Sequence, residues 1–358
     1  MKAFNEAGWG LNQHQIRPSE IVHLAKPIAA CARSQLAGAI VQPTALVLGA
    51  GFSKWAAGLP VAQRLFDFRL SPLNTRELRR LQFLRHAKAE WNRQHPDGQA
   101  ESFIGDMLRS SPRYRQTVLW YLTRRLSDPF VASISRGSQV LMIDDRRAQR
   151  LGGIRRVAKF FQLAALNPLA GIVTPNYDLL VEYALGTRGF NYGHIGEVLT
   201  GRGRNPLFPW QGANPVLTGH LALAKVHGSI SWDQHSRYTD GRCGMRGDAL
   251  VVPPYPDKPR PPELEDVWEL AESILNSAKT AIIFGFGFNP YDKMLLKLLE
   301  QAGRNLKSVL LVDTDPKIGP SQSLWPAAEI VGCPPPPAGN TTLKDWLRYV
   351  RSDDRLNQ

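Results

Sequence analysis

The chain has 358 residues, of which 43% are hydrophobic and 21% charged, the balance of a folded soluble protein with room for one large domain or two ordinary ones. No run of about 18 apolar residues occurs, so no membrane span is expected. The net charge of +13 admits nucleic acid, an acidic partner or an anionic cofactor, and equally a basic solvated surface.

Residues 1–15 lack the apolar core of a signal peptide, which predicts a cytoplasmic protein. Cys31, Cys243 and Cys333 are far apart and show no Cys-x-x-Cys spacing. They suit a reducing compartment and argue against a structural zinc site. Residues 1–43 read as a helical lead-in, with a capped turn over 19–25 stopped near Pro27 and an alanine-rich segment over 28–40.

The organising stretch follows. Ala45, Leu46, Val47 and Leu48 form an apolar run that breaks into Gly49-Ala50-Gly51-Phe52-Ser53, with Gly58-Leu59-Pro60 a little later. This predicts a buried strand, a glycine turn and then a helix or loop start. Glycines one residue apart let the backbone turn sharply and approach a ligand. Amides at the start of the next element would then face a pyrophosphate. Lys54 occupies the third glycine position of the dinucleotide fingerprint, so an ordinary tight turn is the competing reading.

Residues 64–150 read as a helical insertion. Leu78, Leu81, Phe83 and Leu84 alternate with Arg76, Arg79, Arg80 and Arg85, an amphipathic spacing. Further helices are predicted around Phe103–Leu108 and over 117–126, where Trp120 and Tyr121 precede Arg124-Arg125. The arginines are most simply a solvated face, with a phosphate-binding face as the sharper alternative. Residues 140–143 suit a strand, and 154–166 a helix.

Beyond the insertion, strands are predicted over 170–173, 190–192, 221–226, 249–252, 280–284 and 308–312. Helices are predicted over 179–185, 263–276 and 293–301, with a final one over 342–351 in a C-terminal tail that starts at 317. A Gly-, Pro- and Arg-rich loop covers 201–214. Alternating strands and helices predict an α/β fold with a Rossmann-like, doubly wound, mostly parallel sheet. The division expected is lead-in 1–43, nucleotide-binding domain 44–316 and tail 317–358.

Several strands run into polar or glycine clusters: Thr174-Pro175-Asn176-Tyr177-Asp178, Lys225-Val226-His227-Gly228-Ser229, Gly285-Phe286-Gly287-Phe288-Asn289-Pro290-Tyr291-Asp292 and Asp313-Thr314-Asp315. Each has an ordinary reading. Asn176 or Asp178 could cap the following helix, His227 could be a satisfied core histidine, Gly285 and Gly287 a plain turn, and Asp313 a turn cap. Their recurrence at strand ends is what points to a ligand, because open α/β sheets bind there. Together they fit a dinucleotide. The glycine turn would hold the pyrophosphate and Asp313 a ribose or the adenine amino group, with Asn176, Asp178 and His227 at the reactive end. Cleaving the nicotinamide–ribose bond asks little of such a site: the leaving group departs neutral from a cationic ring, and the transition state resembles an oxocarbenium ion. A histidine suits the base that activates water.

In this order, Gly-Ala-Gly-Phe-Ser with Gly-Leu-Pro, Thr-Pro-Asn-Tyr-Asp, Lys-Val-His-Gly and Gly-Phe-Gly-Phe-Asn-Pro-Tyr-Asp resemble the sirtuin-like superfamily. Within it they are most similar to bacterial sirtuin-like NAD hydrolases of antiphage defence, with Glu182 after the Asn-Tyr-Asp motif and Asp292 after the late glycine strand. The resemblance covers about residues 44–316. It implies a Rossmann-like core and hydrolysis of NAD, as substrate and without a metal, to nicotinamide and ADP-ribose. Asn176 and His227 would be catalytic. Gly49, Ala50, Gly51, Ser53, Pro60, Asp178, Gly285, Gly287 and Asp313 would bind NAD. It further implies abortive infection by NAD depletion, held in check by a homo-oligomer or by a partner such as a HerA-like ATPase. Nucleic acid is a partner the reading admits without requiring it. Pro175 replaces a glutamine of the deacetylating members, Phe286 and Phe288 stand where a serine is common, and Arg64 is the counterpart of a first-loop arginine. Three scattered cysteines cannot build the zinc ribbon of those deacetylases. A catalytically silent module that binds NAD, ADP-ribose or nucleic acid is the second reading, and a protein deacylase the third.

Overall fold

The apolar runs that end in glycine or polar clusters become the strands of one parallel sheet. The computed structural model describes residues 43–127, 131–134, 140–143, 157, 169–185, 190–193, 221–232, 242–244, 249–253 and 260–335. The lead-in, the 154–166 helix apart from residue 157, the 201–214 loop and the final helix lie outside the described residues. The strands are β1 (Thr44–Leu48), β2 (Val131–Ile134), β3 (Val140–Ile143), β4 (Leu169–Thr174), β5 (Phe190–Asn191), β6 (Leu221–Lys225), β7 (Arg242–Gly244), β8 (Thr280–Phe284), β9 (Ser308–Val312) and β10 (Glu329–Cys333). The helices are α1 (Ala50–Ala57), α2 (Ala62–Leu65), α3 (Thr75–Gln94), α4 (Ala100–Ser110), α5 (Pro112–Ser127), α6 (Leu180–Leu185), α7 (Glu265–Ser277), α8 (Lys293–Ala302) and α9 (Ile318–Leu324).

Seven strands pair in the order β10-β9-β8-β1-β4-β6-β5, and every neighbouring pair is parallel. This is the Rossmann-like α/β fold. Residues of β1, β4, β6, β8 and β9 are buried throughout, as continuous apolar strands covered on both faces should be. Strand order runs one way from β1 through β4 and the other way through β8. Right-handed crossovers stepping in opposite directions put their helices on opposite faces. The crevice at such a reversal, beyond the carboxyl ends of the strands, is where this architecture binds ligands.

Two expectations change. Residues 249–252 do not form a strand; Val251 makes only an isolated bridge with Gly228. The segment is instead consumed in bracing the histidine loop, since Ser229 N donates to Leu250 O and Val252 N to His227 O. The sheet also continues beyond 312, because β10 pairs along β9 from Glu329 to Cys333. Its sequence, Glu-Ile-Val-Gly-Cys, is short and half-exposed, the weak pattern expected of an edge strand.

The insertion is three helices, α3 to α5, followed by β2 and β3, which form a separate antiparallel sheet with β7. Asn74 caps α3, its side chain accepting from Glu77 N, and Glu77 turns back to accept from Leu73 N. Helix α5 is buried along its C-terminal half, with Trp120, Tyr121 and Leu122 fully inside. Arg124 is therefore an exception to the solvated-face reading. It is 1% exposed, and its Nε lies 3.2 Å from Glu77 Oε1, itself 3% exposed. A second contact runs from Nη2 to Ser71 O. Breaking a buried pair on one side strands the other charge and costs about 3–5 kcal/mol, whereas replacing both by apolar residues can be neutral. Arg124→Met is thus expected to lower the urea midpoint sharply, and Arg124→Met with Glu77→Leu to recover most of it. Equal losses in both variants would show that the ion pair itself, not the stranded charge, stabilises the insertion.

Candidate functional site

The glycine turn is built for close approach of backbone to backbone. Gly49 N donates to Phe284 O and Gly51 N to Gly285 O, both within 2.9 Å, so the β1–β8 ladder continues into the turn. A side chain at Gly49 would sit 2.3 Å from Gly285 O, and one at Gly285 2.2 Å from Phe52 N. Gly285 also has φ +63°, a left-handed backbone that disfavours any Cβ. The turn that reads as a pyrophosphate cradle therefore spends two of its amides on β8. No described acceptor takes the Ala50 amide, which opens α1 and lies at the positive end of that helix.

The 174–178 segment crosses over this turn. Thr174 Oγ1 donates to Leu48 O and accepts from Asn176 N. Asn176 Nδ2 donates to Gly49 O at 2.8 Å and to Ser53 Oγ at 3.0 Å. A carbonyl can only accept, so this pairing fixes which end of the amide is nitrogen. Both N–H groups are used, and Asn176 Oδ1 is left facing outward with no described donor. Ser53 Oγ donates in turn to Asp178 Oδ2 at 2.6 Å, while Asp178 Oδ1 accepts from Leu180 N at the start of α6. Asp178 is thus a helix cap, its ordinary reading, and also the end of an Asn176–Ser53–Asp178 chain. Ser53 and Asp178 are buried.

The histidine loop runs alongside. Val226 N donates to Thr174 O and Ile230 N to Tyr177 O, tying the end of β6 to the asparagine segment. His227 is 3% exposed. Its Nε2 lies 3.2 Å from Asp292 Oδ2, close enough for an ion pair once the imidazole is protonated. Asp292 reaches it from the loop after β8. Tyr177 closes one side, its ring 6.4 Å from the imidazole and its hydroxyl donating to Val252 O.

Beneath both loops the interior is polar. Lys225 Nζ, on a side chain 1% exposed, donates to Asp178 O at 2.6 Å, Glu182 Oε1 at 2.8 Å and Ser229 Oγ at 3.0 Å. The three N–H donors of the Lys225 amine are thus all taken. Burial pushes the Glu182 carboxyl up, and the Lys225 ammonium opposes that. Glu182 Oε2 has no described hydrogen-bond partner. A 10 Å³ cavity lined by Ser53, Thr174, Asn176, Asp178, Glu182 and Lys225 adjoins it, about the room of one water. This cavity is the floor of the site, far too small for a dinucleotide.

The structure thus gathers Gly49, Ala50, Gly51, Ser53, Asn176, Asp178 and Gly285 at one point of the rim, with His227 adjoining. Asp313 directly follows β9, two strands away from β1. Its Oδ1 accepts from Thr314 Oγ1 and Asp315 N, so its carboxylate shapes its own turn. Gly287 and Arg64 are exposed and Pro60 is half-buried. Phe286 and Phe288 pack edge to face at 4.9 Å, and Phe288 adopts φ +48°. Lys225 and Thr174 were not singled out in the sequence as site residues. A buried lysine inside a strand end was the available signal. Among the described residues no helix is long and apolar enough to cross a membrane.

No family model matches the chain, and no curated protein matches it. Solved structures of Sir2 proteins are similar over most of its length. One, described for the mechanism and regulation of Sir2 enzymes, is 13% identical with a TM-score of 0.40, covering 93% of this chain and 98% of that one. A Sir2 homologue in complex with NAD is 16% identical with a TM-score of 0.39, covering 91% and 93%. A Sir2 homologue mutant in complex with ADP-ribose is 15% identical with a TM-score of 0.40, covering 92% and 98%. At TM-scores near 0.4 such likeness says nothing of the chemistry, which depends on the residues just described.

The two glycines after β8 should respond oppositely to substitution. Gly285→Ala is expected to destabilise by more than the roughly 1–2 kcal/mol of a left-handed alanine, because its Cβ also meets backbone. A Cβ at Gly287 meets nothing within 4 Å, so Gly287→Ala should stay within about 0.5 kcal/mol. Thermal denaturation of the two variants checks this, and similar losses in both would contradict the interlocked turn.

Proposed function

We propose that the protein is an NAD glycohydrolase that cleaves the nicotinamide–ribose bond to give nicotinamide and ADP-ribose. The observation that carries this is Asn176, its amide locked by donating to Gly49 O and Ser53 Oγ so that Oδ1 has no described donor, on a segment tied by backbone bonds to the loop that holds His227 beside Asp292. An amide oxygen held in that way can accept from a ribose hydroxyl or from the attacking water. The C1′–N bond breaks with its electron pair going to the nicotinamide nitrogen, so no acid is needed to expel the leaving group. Water adds to C1′ of the oxocarbenium-like ribose, and His227 takes its proton. Asp292 stabilises the resulting imidazolium. The Ala50 amide at the start of α1 is the donor that the glycine turn keeps for a phosphate oxygen, and Asp178 acts through Ser53 to hold the Asn176 amide. The motifs after β1, β4, β6 and β8 support the reading by their resemblance to the sirtuin-like hydrolases. That resemblance extends the proposal to an antiphage effector that depletes NAD, restrained by self-assembly or by a partner such as a HerA-like ATPase.

Nicotinamide release from NAD by the purified protein tests the reading. Asn176→Ala and His227→Ala should each lower turnover by roughly 10²-fold or more, the usual size of a general-base effect. Asp292→Asn, which keeps the shape and removes the charge, should cost on the order of 10-fold, mainly in kcat. If the wild type shows no release, calorimetric NAD binding that weakens in Asn176→Ala keeps the site and marks the protein as restrained. Absence of both release and binding overturns the proposal.

A further inference from the structure

The helical insertion carries a concentration of positive charge that neither the fold nor the proposed chemistry uses. Along α3, Arg76, Arg79, Arg80 and Phe83 fall on one side, three and four residues apart, so their side chains are neighbours. The first three span about 6 Å of helix axis, and Phe83 extends the row to about 10 Å. Helix α5 packs antiparallel beside it and adds Arg113, whose guanidinium lies over the Phe83 ring at 5.0 Å. Arg80 lies over the Trp120 ring at 5.3 Å. Arg76, Arg79 and Arg113 are exposed, and Arg80 is half-buried.

Among the described residues no carboxylate pairs with Arg76, Arg79 or Arg113 on this face. Between Leu78 and Ala89 α3 has no acidic residue, and Glu77 is turned inward to Leu73 N and Arg124. The acids farther along pair locally, Glu90 with Arg93 and Asp106 with Arg109. No described residue pairs with Arg76, Arg79 or Arg113. Burial and the neighbouring Arg76 push the Arg80 guanidinium below its usual range, with Glu77 pulling it back. Like charges held three and four residues apart destabilise a helix, and an anion laid across them would relieve that.

We propose that this face of the insertion binds single-stranded nucleic acid. The charges form a row rather than a pocket, which fits successive phosphates of a strand better than one small anion. They are all arginine, whose planar fork takes phosphate oxygens in pairs, and two of them, Arg80 and Arg113, lie over aromatic rings. At the centre, half-buried Phe83 and Tyr114 stand 4.8 Å apart and tilted by 30°. With Arg113 they form a short stack that an unpaired base can extend, the combination of basic track and aromatic platform that single strands use. A duplex keeps its base faces inside and has no use for that platform.

Fluorescence anisotropy with a labelled single-stranded oligonucleotide of about 16 nucleotides, titrated with the full chain at several salt concentrations, tests this independently of NAD turnover. The expected result is binding at low salt that weakens steeply with salt. In the Arg76→Ala, Arg79→Ala, Arg113→Ala triple variant, affinity should fall at least 10-fold and the log–log salt slope shrink by about 2, near 0.7 per lost phosphate contact. The matching triple lysine variant should keep most of the slope but bind more weakly. Tyr114→Ala should weaken binding without changing the slope. No binding at low salt, or unchanged binding by the triple alanine variant, overturns the proposal. Equal affinity for a duplex overturns the single-strand assignment, and equal competition by polyglutamate points instead to an acidic protein.

Discussion

The ammonium of Lys225 is the contact on which both halves of the candidate site depend. It sits where β6 ends, almost without solvent access, where its donors need acceptors from the protein. The chain supplies three from three different segments: the Asp178 carbonyl after β4, the Glu182 carboxylate on α6 and the Ser229 hydroxyl after the histidine. One buried charge thereby fixes the asparagine loop, the first turn of α6 and the histidine loop relative to one another. A buried ion pair is a poor device for stability alone, since burying both charges costs about as much as their attraction returns. Its use here is geometric, because apolar residues of similar volume would fill the space without specifying where the two loops stand.

Above that floor the constraint is backbone packing. Gly49, Gly51 and Gly285 bring the turn after β1 against the turn after β8 so closely that no side chain fits between them. This is also why two amides of the glycine turn are not available to a ligand. Its amides first complete the sheet, and the Ala50 amide is the one left over. The asparagine then reads the position of that turn directly, through its bond to Gly49 O, so an error in the β1–β8 interlock would be passed to the Asn176 amide.

Much of this was legible in the sequence, for identifiable reasons. Central strands such as 45–48, 280–284 and 308–312 are continuous apolar runs closed by glycine or aspartate, and these patterns carry their own boundaries. Residues 249–252 have the same composition yet form no strand, because their hydrogen bonds go to His227 and Ser229 rather than to a ladder; composition reports burial, not partner. β10 escaped because an edge strand has one covered side and needs no strong pattern. Within the site, Asn176, Asp178 and His227 were visible as polar residues at strand ends. The bonds and contacts around them were not, because Ser53 lies more than a hundred residues from both Asn176 and Asp178 and Asp292 lies 65 residues from His227.

The ordinary and functional readings of these residues are not exclusive. Asp178 caps α6 and also accepts from the Ser53 hydroxyl, whose oxygen accepts from Asn176 Nδ2. Tyr177 fills the core and also places its hydroxyl on Val252 O, bracing the segment that holds His227. Asp178 divides its bonds between Oδ1 and Oδ2, and Asn176 bonds through Nδ2 while Oδ1 has no described donor. A residue with a single polar atom could not divide its work in this way. That is a physical reason for carboxylates and amides to gather at the carboxyl rim of the sheet, where the chain must turn and a ligand must be held within the same few residues.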